Sequence, residues 1–387
     1  MSSGYRWFGV GASDLADPLV AADTATVAAL TGTDPKLVVV FASISYDLPT
    51  LVGAIGELTP GVPMIGCTTA GEISTQKASD HSVVVSVLGG EFSAVTSCAT
   101  GAGEDLTAAG AKAASAMTRL PHVSERVLLL LTDGLAGSQQ DVVRGAYSEV
   151  GASVPLVGGC AGDDAAMIRT FQIHDGEVHE NTVVAAAIGS ESPFGIGVHH
   201  GWHPVGEPLL VTNSHETKIH ELDGEPALDV YLDCFGASRS VADDPRGFTD
   251  FAVTRPLGLQ RRSGKEVRFI NGADFASRSL MSIAEVPQGS LVWMMEGDRE
   301  SLLAGTAASC DEALHALGES EPIGLLVFDC IARRAVLGSK GVQSEMQTIA
   351  KLAPSVPTAG LYTYGEIART QGVRGFHNQT LVTLALS

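Results

Sequence analysis

Apolar residues along this chain gather in short blocks. LVVVFAS at 37–43, RVLLLLTDG at 126–134 and GLLVFDC at 324–330 are leucine-rich or β-branched runs with polar or glycine borders. Runs of that length and composition predict strands buried on both faces. Each is followed by a stretch with helical spacing, clearest at Gln139–Val150 and Val342–Leu352, and then by a Val-Pro pair. The Val-Pro passages read VPMIGCTTAGE at 62–72, VPLVGGCAGDD at 154–164 and VPTAGLYTYGE at 356–366. Each places a glycine four positions after the valine and an acid ten positions after it, which aligns Gly66, Gly158 and Gly360, and likewise Glu72, Asp164 and Glu366. A further strand is predicted after each passage, at 82–90, 181–189 and 380–387, with His81, His179 or His377 just ahead of it.

The pattern extends backwards. Tyr5–Gly11, Phe92–Cys98 and Leu291–Glu296 predict opening strands, each followed by an alanine-rich helical stretch (Asp14–Leu30, Glu104–Leu120 and Arg299–Leu317). The chain therefore reads as three units of strand, helix, strand, helix, strand, acidic loop, strand, over about 5–90, 91–190 and 290–387. Strand–helix–strand links of this length favour right-handed crossovers and parallel pairing. The fold class expected is α/β (or α+β), with mixed sheets and flanking helices. It divides into a domain at 1–222 (two units plus extra strands) and one at 223–387. Residues 191–289 fit the repeat poorly. ELDGEPALDVYLDCFG predicts a turn at Asp223-Gly224 and an amphipathic helix with Pro226 early in it. Asp175-Gly176 predicts a hairpin over 168–184, and Arg239–Arg246 a surface loop.

Composition narrows the function. Lys and Arg number 24 against 44 Asp and Glu, a formal charge of −20 that repels phosphate backbones and makes nucleic acid an unsuitable partner. No apolar run approaches the roughly 20 residues of a membrane helix, and no secretory signal precedes the first strand, so a cytoplasmic protein without membrane insertion is expected. The six cysteines are scattered without a CxxC, as reduced thiols would be.

A glycine-rich loop at the carboxyl end of a strand turns backbone N–H groups into a crevice. Such amides suit a carboxylate, and the terminal acid suits an ammonium, so the three loops match the two ends of a free amino acid. The same residues could equally shape three tight turns. VGGCAGDD lacks the GxGxxG spacing and its following helix, and no loop runs on into Gly-Lys-Ser/Thr. Asp133, in Leu-Thr-Asp-Gly, has no partner acid nearby and reads as a turn residue.

VPMIGCTTAGEI, VPLVGGCAGDD, GVHHGWHPVGEPLLVT, ELDGEPALDVY, LLVFDCIARR, GLYTYGEI and FHNQTLV, in that order, resemble the two parts of FIST (F-box and intracellular signal transduction) proteins. FIST-N would cover about 30–220 and FIST-C about 221–366. The resemblance implies a sensory module for an amino acid or similar small polar ligand. Its relatives carry an F-box or accompany histidine kinases or cyclic-nucleotide signalling enzymes. With no room expected for an output domain, the chain would signal through a separate partner, or simply bind. The ligand-binding residues expected are Cys67, Thr68, Thr69, Gly71 and Glu72 from the first loop, Gly159, Asp163 and Asp164 from the second, and Tyr364, Gly365 and Glu366 from the third. Arg333, in the Cys-x-x-Arg pattern, would clamp a carboxylate or pair with one of the repeated acids. Asn378 completes the set.

Two other classes compete. Cys67 or Cys330 could act as a nucleophile on a small polar substrate, given a nearby base such as His81 or His377. His199, His200 or His203 could ligate haem, since some FIST relatives resemble nitric-oxide sensors. On a strand His199 and His200 face opposite sides, no HExxH or zinc-type Cys/His spacing occurs, and CxxCH is absent. No cofactor and no metal is the primary expectation.

Overall fold

The computed structural model describes residues 5–75, 77–238, 241, 245–261, 264–370 and 375–387. The three apolar runs become the centres of three six-stranded sheets, and residues 203–296 build a fourth, of eight strands. In the first sheet Arg6–Ser13, Val83–Gly90, Pro35–Ala42 and Met64–Thr68 lie side by side in that order. Only the last two pair in parallel, because the fourth strand of the unit inserts antiparallel between the first and second. The sheets are mixed, as expected, and the parallel pairing that the strand–helix–strand links favour is confined to the second and third strands of each unit. The same holds for Glu125–Thr132 with Leu156–Cys160 and for Gly324–Cys330 with Thr358–Thr363.

Gly66, Gly158 and Gly360 are structurally equivalent, facing Val40, Leu130 and Val327 across the parallel pair. A Cβ at these positions would stand 2.4, 1.9 and 2.1 Å from the carbonyl oxygens of those residues. Backbone approach therefore explains the repeated glycine, and it does so in the middle of a strand rather than in a ligand loop. Gly158, at φ 145°, is the most constrained. Gly158→Ala is expected to destabilise by at least the ~1–3 kcal/mol typical of overpacking, read as a lowered urea midpoint; an unchanged midpoint would refute the steric account.

Each unit also donates a hairpin to a neighbour. Glu72–Ser74 and Lys77–Ser79 extend the sheet of the third unit, pairing with Thr358–Thr363. Gln172–His174 and Glu177–His179 extend the first sheet along Met64–Thr68. Glu366–Arg369 and Phe376–His377 extend the second along Leu156–Cys160. The turn of the middle hairpin is as predicted, with Asp175 and Gly176 both at positive φ, as a two-residue type I′ turn requires.

The third unit departs from its predicted boundaries. Its opening strand is Phe194–His199, paired with Leu381–Leu386. Leu291–Glu296, expected in that role, belongs instead to the eight-stranded sheet, between Leu257–Arg261 and His203–His215. The reason is visible in the packing. Gly9 and Gly11 let the first strand of unit one touch the carbonyls of Ala29 and Ala25, and Gly195 and Gly197 do the same against Ala313 and Ser309. Phe-Gly-x-Gly, at 8–11 and 194–197, is the sequence signal for this role, and residues 203–296 interrupt the unit just after it. The inserted sheet buries its own core around Tyr231, Phe248 and Met294. Asp223 and Gly224 form the expected turn, and helix Ala227–Cys234 follows. The loop expected over Arg239–Arg246 falls mostly outside the described residues; its last two positions begin helix Pro245–Ala252.

Candidate functional site

The repeated acids are not equivalent in the way their spacing implies. Glu72 pairs in its sheet with Leu361, and Glu366 with Gly159. The residue at the corresponding place in the second unit is Gln172, opposite Cys67. From Ala161 to Gln172 is eleven positions, whereas Thr69 to Glu72 is three, so the second unit carries an eight-residue insertion that displaces Asp164 from the aligned site.

Glu72, Gln172 and Glu366 share one task. Glu72 Oε2 accepts from the Ser82 amide and hydroxyl, at 3.0 and 2.6 Å, and Oε1 accepts from Thr69 Oγ1. Glu366 accepts from the Thr380 amide and hydroxyl, at 3.0 and 2.7 Å, and from Thr363 Oγ1 at 2.7 Å. Gln172 Oε1 accepts from the Thr182 amide at 3.1 Å. Each ties the start of a donated hairpin to the start of its unit's fourth strand. Both glutamates are fully buried, and burial pushes each carboxyl up to about 7 against the pull of those hydrogen bonds. They face the interior, so the ammonium-binding role expected of them has no solvent-facing carboxylate at either position.

The inserted segment instead reaches the first unit. Its loop bonds back onto the first unit through Gly162 N to Thr68 O and Asp164 N to Thr69 O, both 2.9 Å, and Phe171 N donates to Thr68 Oγ1 at 2.9 Å. Asp163 accepts from the amides of Met167, Ile168 and Arg169 and from Tyr364 Oη of the third unit. Those bonds hold its carboxyl below the usual range despite desolvation. Asp164 points the other way: it accepts from Ser43 Oγ at 2.7 Å and lies 3.3 Å from His81 Nδ1, with Ser45 Oγ 2.7 Å from Ser43 Oγ. Its side chain is 19% exposed and that of His81 69%. Asp164, Ala165 and Met167 all adopt positive φ. Strained backbone of this kind costs on the order of 1–3 kcal/mol per residue and gathers at functional loops. One dipeptide, Asp163-Asp164, thus joins all three units at the carboxyl ends of the first unit's strands.

Residues 36–225 match the FIST N domain and residues 227–369 the FIST C domain. The chain belongs to the FIST family. FIST domains are sensory domains of signal transduction. Among relatives, an uncharacterised protein of Mycobacterium tuberculosis is 24% identical over 96% of this chain and 97% of its own. An uncharacterised protein of Methanocaldococcus jannaschii is 26% identical over 48% of this chain, a match that spans 37% of that protein. A chorismatase crystal structure covers the full length of both chains at 10% identity with a TM-score of 0.39, a level of likeness that carries no argument.

The other expected residues of this FIST chain are dispersed. Gly71 abuts Arg334, which donates to Ala70 O at 2.7 Å, pairs with Asp80 at 2.7 Å and stacks 4.6 Å over the Tyr362 ring. Gly159 and Gly365 pack at the seam of the second and third units, where a Cβ would meet Thr363 and Phe376. Asn378 is buried, and its Oδ1 has no hydrogen-bond partner among the described residues. Arg333 is enclosed: it donates to Asp329, Glu345, Thr306 and the carbonyls of His200 and Leu302. Of its two expected roles it takes the salt bridge, although with Asp329 and Glu345 rather than with a repeated acid.

Cys67 and Cys330 are buried, and desolvation drives both thiols well above their usual range, the reverse of an activated nucleophile. The three histidines do not converge. His199 lies 3.3 Å from Glu312 and His203 3.5 Å from Glu296, while His200 Nδ1 accepts from the Trp202 amide at 3.0 Å. Among the described residues no three His, Cys, Asp or Glu side chains form a metal-holding group, and no helix is long and apolar enough to cross a membrane.

Proposed function

We propose that this FIST chain is a cytosolic sensor of an amino acid or similar small polar molecule, bound at the surface where Asp164 meets Ser43 and His81. What carries the reading is the partly exposed Asp164 carboxylate, held by a first-unit hydroxyl on a loop whose other anchor is Tyr364 of the third unit. A ligand ammonium pairs with Asp164, and its carboxylate or other polar end meets the exposed His81 and Ser45 on the rim. Occupation stabilises the loop's present arrangement relative to alternatives only by the ligand's differential affinity for it. Because the Asp163-Asp164 step spans three units, a change at Asp164 is felt at Tyr364. A separate signalling protein, such as a histidine kinase, reads out the bound state.

Asp164→Asn keeps the left-handed backbone within reach, since Asn tolerates that region, while removing the charge. Losing one charge-assisted hydrogen bond should weaken binding roughly tenfold to a hundredfold. The measurement is a thermal-shift titration with a panel of amino acids. A ligand that raises the melting temperature of wild type and of Asp164→Asn with equal affinity rules out this site.

A further inference from the structure

A concavity lies at the opposite end of the same strands, where Met64–Thr68 begins. It is a shallow, open cleft of about 520 Å³ between edge strand Ser93–Thr100 with helices Leu106–Ala114 and Ala116–Arg119, on one side, and the His174–Asp175 turn of the donated hairpin, on the other. Lys112, Arg119, Cys98 and His174 line it.

Its electrostatics run against those of the molecule. In a chain with 44 acids and 24 bases, Lys112 and Arg119 are both exposed and neither has a carboxylate within 4 Å among the described residues. Arg119 spends one N–H on the Thr96 carbonyl, at 2.7 Å, and keeps the rest of its fork. His174 Nε2 is buried without a hydrogen-bond partner, 3.5 Å from Asp175 Oδ2. One acid, Asp175, lines the cleft beside His174, and its oxygens are partly taken up by other donors. Asp175 accepts from the Met64 amide at 2.9 Å and from Thr96 Oγ1 at 3.2 Å, and Glu177 lies 3.5 Å from His179 Nε2.

We propose that this cleft binds a small anion, a phosphate or carboxylate group, between Arg119 and Lys112 on one wall and His174 on the other. The forked guanidinium and the ammonium supply the charge-assisted donors, and His174 packs as the opposite wall. The site stands apart from Asp164 and does not depend on it.

Cys98 provides the readout, because its half-buried thiol lines the cleft while Cys234 is exposed elsewhere. Intact protein is alkylated under mildly alkaline conditions with increasing inorganic phosphate or succinate at constant ionic strength, and the two cysteines are followed separately by peptide mass spectrometry. Saturable slowing at Cys98 with no change at Cys234 is expected. Arg119→Gln and Lys112→Gln, both surface changes, should each weaken the protection roughly tenfold or more, whereas Asp164→Asn should leave it intact. Protection by neither anion, equal protection in the Arg119 and Lys112 variants, or parallel slowing at Cys234 would overturn the assignment.

Discussion

Replacing Glu72 and Glu366 together by glutamine is expected to flatten the pH dependence of folding stability and to raise stability above neutral pH. Each carboxyl keeps its proton in the folded protein up to about pH 7, because burial disfavours the anion. In the unfolded chain the same group ionises near 4.3. Across that window the unfolded state binds fewer protons than the folded one, so stability falls as pH rises. Below both values the penalty is absent, and above about 7 it is present in full. For each glutamate it amounts to on the order of 3 kcal/mol. Glutamine fits the place because Gln172 already occupies it in the second unit, accepting from Thr182 as the glutamates accept from Ser82 and Thr380. Urea midpoints from pH 5 to 8 for wild type and the double variant make the comparison. Equal slopes would show that these carboxyls ionise in the folded protein as they do in the unfolded chain.

The second large effect is expected at Arg333. Gly338, at φ 59°, breaks helix Ile331–Leu352, and Arg333 before the break donates to Glu345 beyond it, at 2.9 Å. It also donates to Asp329 at 2.6 Å and to the His200 carbonyl at 2.7 Å, the point where the chain leaves for the inserted sheet. All three charged groups are fully buried, and Asp329 is driven well above the usual carboxylate range by desolvation and then by Glu345. Taking out the cation strands two carboxyls in the interior. Arg333→Met should therefore cost about 3–5 kcal/mol. Adding Asp329→Asn and Glu345→Gln should recover most of that, since the cost arises from unpaired charge rather than lost volume. Calorimetric melting of the single and triple variants tests both statements. A single variant within about 1 kcal/mol of wild type would mean that the triad adds little.

Much of this architecture was legible in the residues, for identifiable reasons. Strands such as Val127–Leu131 are covered on both faces, which leaves an unbroken apolar run, and the Val-Pro-x-x-Gly repeat survives because backbone approach forbids any side chain at Gly66, Gly158 and Gly360. What spacing could not supply was long-range. An eight-residue insertion moved Asp164 out of register and hid Gln172, whose amide does the work of a carboxylate. The inserted sheet pushed Phe194–His199 far from the helix it serves, leaving only Phe-Gly-x-Gly as its trace. An acid in a glycine loop also looks the same in sequence whether it faces solvent, as Asp164 partly does, or is sealed in, as Glu72 is. Neighbours from other units decide that.

The exchanged hairpins set a limit on how this molecule could have grown. The first unit gives to the third, the second to the first and the third to the second, so the circuit returns to its origin after three steps. The outer edge of every third strand is already taken, and none of the three ribbons is left over. A fourth copy spliced into the chain would find no vacant margin to join, and making room for it would mean opening the ring. Enlargement has to come from within a unit, and the sheet at 203–296 is an instance of that.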